Sequence, residues 1–139
     1  RKSVKIPQEF MSRFLNWQMP EFNEKDETKW HWVCQHREKF VLGENTDIGA
    51  FTYINAKFGV TIEAGAQIGS HCALYSHNTI DNTQGEIIIR AGASIGSHTT
   101  ILPNVTIGAN AKIGAHSLVK NNVPENQIWA GVPAQLIKS

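Results

Sequence analysis

A spacing of six residues between aliphatic side chains constrains this sequence more than any other feature. From residue 89 onward the aliphatic positions are Ile89, Ile95, Ile101, Ile107, Ile113 and Val119. The same spacing occurs upstream in two shorter frames, Leu42–Ile48–Ile54–Val60 and Ile62–Ile68–Leu74–Ile80. An α-helix has a period of 3.6 residues and a β-strand a period of two, so neither element alone explains a period of six.

Two other positions of the six-residue unit are also restricted. A small or apolar residue stands four places after the aliphatic one, at Thr52, Ala66, Cys72, Ala93, Thr99, Val105, Ala111 and Ser117. Residue types that tolerate a positive φ stand three places after it, at Asn45, Gly65, Asn104, Asn110 and Asn122. A short strand followed by a sharp corner gives this pattern, and repeated corners stack such strands as a solenoid with coils about 4.8 Å apart. The sequence thus predicts an all-β protein built as a parallel β-helix.

The repeat divides the chain into three segments. Residues 42–123 would form the β-helix, with about four coils if each coil has three faces. The period itself fixes neither the number of faces nor the hand of the coil. Residues 1–41 precede the repeat, and the apolar residues between Phe10 and Trp17 have helical spacing, so we expect a partly helical cap. Residues 124–139 would form a tail that packs on the β-helix.

Composition excludes several classes of protein. Thirteen basic residues nearly balance twelve acidic ones, so no net charge favours binding to nucleic acid. No apolar run approaches the roughly 18 residues of a membrane span. Cys34 and Cys72 are too few for a disulfide scaffold and form no CxxC metal motif. We therefore expect a cytoplasmic protein that binds neither nucleic acid nor membrane.

Specific motifs accompany the repeat. They are PNVTIG at 103–108 and the closing run NNVPENQIWAGVPAQLIK at 121–138, which contains GVPA at 131–134. With the repeat, these segments resemble the left-handed β-helix acyltransferases with hexapeptide repeats, over residues 42–138. The similarity is to galactoside, maltose and xenobiotic O-acetyltransferases and to sugar acyltransferases of polysaccharide biosynthesis. This resemblance implies a left-handed, triangular β-helix.

The resemblance also implies an activity and an assembly. The chain would be a coenzyme A-dependent acetyltransferase that works as a homotrimer, with acetyl-coenzyme A in a groove between neighbouring subunits. The acceptor would be a hydroxyl or amino group of a sugar or nucleotide sugar. By motif, Ser97 and Ala115 would contact the pantetheine arm. Lys120 and Lys138 would offer cations to the coenzyme's phosphates, and no metal is expected.

Four of the six histidines share one position of the repeat. His71, His77, His98 and His116 each stand three residues after an aliphatic residue. Histidine accepts a left-handed corner conformation, so a corner residue is the simplest explanation for the group as a whole. Histidine is also the usual general base for acyl transfer, because its pKa lies near neutrality.

His77 is the histidine for which we predict catalysis. It lies just before residues 81–88, where the frame of six is broken and a loop leaves the coil. In the family that the sequence resembles, the catalytic histidine lies at the start of the corresponding loop, although counting residues places it nearer Thr79. Asp81 and Glu86 of the same loop could orient the imidazole or bind substrate, or be solvated loop charges.

Two alternative functions fit the same repeat. Either His71 or His77 would stack beneath His98 and His116, depending on the face that Ile80 occupies. Such a column could hold zinc, as in carbonic anhydrases with a left-handed β-helix. The second alternative is a non-catalytic trimeric β-helix that serves as a scaffold.

Overall fold

The structure, a computed structural model, describes residues 14–139. In this range there are seventeen short strands and one 3-10 helix, Arg37–Lys39. The strands, in chain order, are β1 (Val33–Gln35), β2 (Phe40–Leu42), β3 (Asp47–Ile48), β4 (Tyr53–Asn55), β5 (Val60–Ile62), β6 (Gln67–Ile68), β7 (Ala73–Tyr75), β8 (His77–Asn78), β9 (Thr83–Gln84), β10 (Ile87–Ile89), β11 (Ser94–Ile95), β12 (Thr100–Ile101), β13 (Thr106–Ile107), β14 (Lys112–Ile113), β15 (Leu118–Val119), β16 (Ile128–Gly131) and β17 (Ala134–Lys138).

The strands stack into three parallel sheets that the chain visits in turn. Face A consists of β1, β4, β7, β12 and β15, and face B of β2, β5, β10 and β13. Face C consists of β3, β6, β11, β14 and β16, with β17 antiparallel to β16 at its edge. Only β8 and β9 leave the stack, as a separate antiparallel hairpin. The predicted fold class, a left-handed parallel β-helix of hexapeptide repeats, is confirmed.

The register between coils explains where the frame of six slips. On face A, Tyr53 is paired with Ala73, 20 residues on, and Ala73 with Thr100, 27 residues on. Thr100 is paired with Leu118, 18 residues on, which equals three repeats of six residues, one for each face. The first coils therefore carry extra corner residues, and the coil between Ala73 and Thr100 contains the hairpin.

The aliphatic positions of the repeat fill the interior. On face A, Ile101 lies in register with Leu74 below it and Val119 above it. All three are at most 1% exposed, and so is Ile54, which pairs with Leu74 from the other side. The positions four residues after the aliphatic ones are buried as well. One coil buries no core by itself, so stability comes from stacking the coils.

Ile80 does not follow the repeat, and its predicted inward position is wrong. Its side chain is 92% exposed, in the segment between β8 and β9. The agreement with the frame of six arises because the inserted hairpin happens to place an isoleucine six residues after Leu74. Leu42 is only partly buried.

The corners use the predicted residue types with one exception. Asn45, Asn104 and Asn110 have φ values of 54°, 68° and 59°. Asn122 does not have a positive φ; instead its side-chain Oδ1 accepts a hydrogen bond from the Thr106 N–H, at 2.8 Å. A left-handed corner at the last coil occurs at Asn126, with a φ of 63°.

Glycine permits close approach where one coil crosses another. A Cβ atom placed on Gly96 would lie 2.5 Å from the backbone nitrogen of Ala115 in the next coil. That separation is shorter than van der Waals contact, and the obstacle is backbone, which cannot swing away. The small residue here is thus a packing requirement of the stacked corners.

Aromatic side chains pack against the first coil of the stack. Trp32 is 2% exposed and packs edge-on against Phe22 and Phe40. Trp17 donates a hydrogen bond from its indole N–H to the carbonyl of Thr46, at 2.8 Å. The predicted helix between Phe10 and Trp17 falls largely outside the described residues. Within the described part of the chain, no helix is long and apolar enough to cross a membrane.

Candidate active site

A loop projects from the corner between faces A and B. Its base is closed by two hydrogen bonds: the Gly85 N–H donates to the Ser76 carbonyl at 2.9 Å, and the Asn104 side-chain amide donates to the Gln84 carbonyl at 3.1 Å. The strands β8 and β9 pair inside it. The sequence predicted a loop here, and the structure shows that it is a short hairpin anchored to the coils on both sides.

Ser76 fixes the point where the loop begins. Its side chain is fully buried, and its hydroxyl donates to the Asn55 carbonyl at 2.6 Å. The same oxygen accepts a hydrogen bond from the Phe58 N–H at 3.0 Å. Since both partners belong to the coil below, the backbone that carries His77 is tied to a rigid part of the structure.

The imidazole of His77 is held by two neighbours. The Phe58 ring lies at 5.3 Å between centroids with an interplanar angle of 79°, an edge-to-face contact. The Nε2 atom lies 3.1 Å from Oδ1 of Asn82. An amide oxygen only accepts hydrogen bonds, so Nε2 is the donor in this contact, and in the neutral ring the lone pair is then on Nδ1. The side chain is half-buried, and no hydrogen bond joins Nδ1 to another described residue.

The other three histidines of the repeat are corner residues. His71, His98 and His116 have φ values of 57°, 58° and 58°, in the left-handed region. His77 does not have a positive φ. A left-handed corner therefore explains three of the four histidines but not His77, which lies in β8.

These three corner histidines stack on one another between faces C and A; we call them the histidine ladder. Ring centroids are 4.7 Å apart in both steps, His71 to His98 and His98 to His116, with interplanar angles of 6° and 7°. His71, rather than His77, is thus the residue beneath His98. Below it the column continues with Phe51 at 5.2 Å and His31 a further 6.0 Å away.

The ladder lacks the geometry of a zinc site within one chain. The rings are nearly parallel, with interplanar angles of 6° and 7°. The lone pairs of their nitrogens lie in the ring planes and so do not converge on one metal ion. Across residues 14–139, no group of three or more His, Cys, Asp or Glu side chains is placed to hold a metal ion.

Ser97 and Ala115 lie side by side at the same corner as the ladder, each one residue before a ladder histidine. Ser97 and the glycine before it line a shallow depression on face C together with Gln67 and Lys112. Neither the Ser97 nor the Ala115 N–H donates to any acceptor of the described chain. The described residues therefore leave these two amide groups without a hydrogen-bond acceptor.

The two predicted lysines lie elsewhere. Lys120 follows β15, at the corner between faces A and B. Lys138 is in register with Ile128, which is itself in register with Lys112 at the start of the face C strands. Ser97 and Ala115 lie beyond the opposite end of those strands. In one chain, Lys138 is therefore at the other end of the face C strands, and Lys120 is at another corner.

The loop carboxylates differ in their contacts. Asp81 accepts hydrogen bonds from the hydroxyl and the N–H of Thr83, at 2.7 and 3.1 Å, which lower the pKa of the carboxyl. Glu86 is exposed and lies near Gly59. Neither carboxylate is hydrogen bonded to His77, whose partner is Asn82.

The two thiols are not candidates for a nucleophile. Cys34 and Cys72 point into the core and are at most 1% exposed. Burial, with a smaller contribution from the carboxylate of Asp26, raises the pKa of the Cys34 thiol to about 12. Burial also raises the pKa of Cys72. Both groups are protonated at neutral pH and out of reach of a substrate.

Comparison with known proteins adds a family and several relatives. Residues 86–121 match the family model described as bacterial transferase hexapeptide (six repeats). The chain is 33% identical to the galactoside O-acetyltransferase of Escherichia coli over 114 residues, 71% of this chain and 56% of the relative. It is 33% identical to a putative colanic acid biosynthesis acetyltransferase of the same organism over 107 residues, 77% of this chain and 54% of that one.

Solved structures agree with the fold. The crystal structure of a hexapeptide-repeat acetyltransferase from Vibrio cholerae, complexed with acetyl-coenzyme A, superposes with a TM-score of 0.73 at 25% identity. The match covers 78% of this chain and 64% of the Vibrio chain. The chain spans about half the length of the curated relatives described above.

Proposed function

We propose that this chain is a member of the hexapeptide-repeat transferases and that it is a coenzyme A-dependent acetyltransferase. It transfers an acetyl group from acetyl-coenzyme A to a hydroxyl or amino group of a sugar or nucleotide sugar, in the cytoplasm. The relatives support this assignment, since they include a galactoside and a colanic acid biosynthesis acetyltransferase. One observation carries the mechanism: His77 is the histidine of the repeat that no corner requires, and it presents a basic nitrogen.

The reaction needs one proton acceptor and one oxyanion site. The acceptor's oxygen or nitrogen attacks the thioester carbonyl while Nδ1 of His77 removes its proton. The tetrahedral intermediate then collapses, the C–S bond breaks, and the imidazolium returns the proton to the departing thiolate. Backbone N–H groups beside the thioester would stabilise the oxyanion. No covalent acyl-enzyme is formed.

The coenzyme lies along the corner between faces C and A. The unpaired N–H groups of Ser97 and Ala115 suit the carbonyl oxygens of the pantetheine arm, because an extended amide chain can pair with exposed backbone as a strand does. The acyl donor supplies the activated thioester, and the chain holds this thioester in position. Lys120 and Lys138 stay predictions for the phosphates, and Asp81 and Glu86 for the acceptor.

A second copy of the chain completes the site. His77 lies at the corner between faces A and B, whereas Ser97 and Ala115 lie at the corner between faces C and A. The whole width of face A separates them in one subunit. We propose a homotrimer in which the loop of one β-helix faces the C–A corner of its neighbour. If light scattering showed that the protein is a monomer, and this monomer were fully active, the arrangement would be contradicted.

A thiol-release assay tests the function directly. Purified protein is incubated with acetyl-coenzyme A and panels of amino sugars, nucleotide sugars and simple glycosides. We expect acceptor-dependent release of free coenzyme A with at least one panel, and mass spectrometry should show an acceptor heavier by one acetyl group. Binding of acetyl-coenzyme A without transfer to any of them would favour a scaffold, and failure to bind it would contradict the proposal. Metal analysis of the same sample tests the zinc alternative.

Asn82 gives a prediction specific to this loop. It has a φ of 56°, so Asn82→Gly keeps the backbone and removes only the amide that orients His77. We expect kcat to fall about tenfold, the cost of one hydrogen bond of about 1–1.5 kcal/mol, with the KM for acetyl-coenzyme A unchanged. Asn110→Gly is the matched control, since Asn110 has the same conformation (φ 59°) at a distant corner. Equal kcat values for both variants would remove Asn82 from the mechanism.

A further inference from the structure

A cavity of about 230 Å³ opens between the segment that precedes β1 and the strands β2 and β3. Three tryptophans line it, Trp17, Trp30 and Trp32, and we call it the indole cavity. Trp17 is fixed by the hydrogen bond from its indole N–H to the Thr46 carbonyl, and Trp32 by burial and by its contacts with two other aromatic rings. Neither the proposed general base nor the proposed coenzyme contacts use this part of the chain, so the cavity has no assigned role.

Three polar side chains on the cavity wall have no hydrogen-bond partner in the part of the chain that the structure describes. They are the amides of Asn16 and Gln18 and the indole N–H of Trp30. Trp30 is 45% exposed, so a ligand can reach its ring from outside. A ligand without hydrogen-bonding groups would leave all three unpaired and desolvated, which costs free energy. The wall therefore favours a ligand that both donates and accepts hydrogen bonds.

The indole cavity thus combines the surfaces of aromatic rings with hydrogen-bonding groups. This combination suits a pyranose sugar, which has C–H groups on the faces of its ring and hydroxyl groups around its edge. The cavity is smaller than the roughly 300 Å³ at which drug-sized sites begin, as expected for a single sugar ring.

The charges on the wall disfavour an ionic ligand. Aromatic walls can bind a quaternary ammonium group by cation–π contact, but a cation is already present here. The Lys29 ammonium lies 4.6 Å from the centroid of the Trp30 ring, and a second cation would be repelled by it. Among the described lining residues, the carboxylate of Asp47 balances the charge of Lys29. A neutral sugar fits this balance better than a cation or an anion does.

The indole cavity borders the corner between faces C and A. Trp30 precedes His31, which stacks on Phe51 below the histidine ladder, with 6.0 Å between ring centroids. Ile48, at the end of β3, lines the cavity and leads into the same corner. In the proposed homotrimer the loop of a neighbouring β-helix faces this corner, so a sugar in the cavity would lie beside the proposed site.

From these observations we propose that the indole cavity binds the sugar ring of the acceptor. Trp30 lies against the ring, and the amides of Asn16 and Gln18 bind its hydroxyl groups. The inference rests on the proposed function, because it takes the bound sugar to be the molecule that receives the acetyl group. It adds the residues that select the acceptor, and these three precede the hexapeptide repeat.

Sugar binding is measured without the acyl donor, so that it does not depend on catalysis. NMR follows the indole N–H signals of the four tryptophans during titration with methyl glycosides of glucose, galactose and N-acetylglucosamine. We expect at least one glycoside to shift the Trp30 signal, which Trp30→Phe identifies by deleting it. Trp129 is the internal control, since it lies in β16, at the other end of face C from β3, and its N–H donates to Gln127 at 2.8 Å. Its signal should not move.

Acceptor kinetics test whether the bound sugar takes part in the reaction. With a glycoside that is acetylated in the thiol-release assay, Trp30→Ala should raise the KM for that acceptor at least about tenfold, the loss of one ring contact and one hydrogen bond. The KM for acetyl-coenzyme A should not change. Trp30→Phe keeps a ring and should raise the acceptor KM less, and Trp129→Phe, the matched control, should change neither KM. Because Trp30 is partly exposed, both Trp30 variants should fold, which thermal unfolding checks.

Two outcomes would overturn the inference while the proposed function stands. If no glycoside shifts the Trp30 signal, or if choline shifts it and the glycosides do not, the cavity is not a sugar site. If glycosides bind there but Trp30→Ala leaves the acceptor KM unchanged, the bound sugar is not the acceptor. Absence of transfer to every acceptor, in a protein whose Trp30 signal responds to glycosides, would instead contradict the proposed function and with it the acceptor role of the cavity.

Discussion

Replacing His77 by alanine is expected to lower kcat/KM about 10²- to 10⁴-fold, the usual contribution of a general base. In the proposed mechanism the imidazole removes the acceptor's proton, and neither of the two described side chains that hold it can replace it. Phe58 has no titratable group, and Asn82 neither gains nor loses a proton near neutral pH. The loss should appear in kcat, since the proposed coenzyme contacts belong to another corner.

The fold of the His77→Ala variant should be intact. The loop is anchored by Ser76, Gln84 and Gly85, whose hydrogen bonds do not involve the imidazole. Thermal unfolding and light scattering should therefore match the wild type. Thr79→Ala is the informative control, because residue counting against the family places the catalytic position near Thr79. If Thr79→Ala lost activity and His77→Ala kept it, the base would have been assigned to the wrong residue.

The contrast between His77 and the ladder shows what the sequence could predict about the site. All four histidines share one position of the repeat, and the sequence alone could not separate a corner residue from a base. The position of the frame break pointed to His77, and the backbone conformation distinguishes it: three histidines have a positive φ and His77 does not. The choice between His71 and His77 for the column depended on Ile80, whose face the sequence left open.

Asn82 and Phe58 could not have been predicted from the pattern. Phe58 reaches His77 from the coil below, and Asn82 reaches it only because β8 and β9 fold into a hairpin. Neither contact follows a period, so no spacing in the sequence signals it. The placement of Lys120 and Lys138 relative to Ser97 likewise depends on which corner each residue occupies, which the period of six does not reveal.

The interior was predictable because each repeat contributes to it in the same way. An aliphatic residue at every sixth position is required on all three faces, so the signal recurs often enough to be recognised in one sequence. The number of faces and the hand came from the family resemblance, because a period of six is compatible with more than one solenoid. An insertion breaks the rule locally, as it does at Ile80.

Alanine variants of Ile101 and Ile80 can measure the difference in stability between a repeat position in the core and a position in the inserted hairpin. Both residues stand six places after an aliphatic one, Ile95 and Leu74 respectively, so the sequence pattern treats them alike. In the structure, Ile101 is 0% exposed between Leu74 and Val119, whereas Ile80 is 92% exposed. Ile101→Ala should lower the free energy of unfolding by about 2–5 kcal/mol, because it removes buried methyl and methylene groups and leaves a cavity between coils. Ile80→Ala should change it by less than about 0.5 kcal/mol.

Denaturant unfolding at one fixed protein concentration measures both variants, since the proposed subunit association would make stability depend on concentration. The alanine at position 101 leaves a gap that neighbouring coils cannot close, because their spacing is set by backbone hydrogen bonds such as that from the Thr100 N–H to the Ser117 carbonyl, at 2.9 Å. The gap should therefore cost more than the transfer of the lost methyl groups alone. Equal losses at Ile101 and Ile80 would mean that the hairpin packs into the assembly through Ile80, and no loss at Ile101 would contradict the stacked core itself.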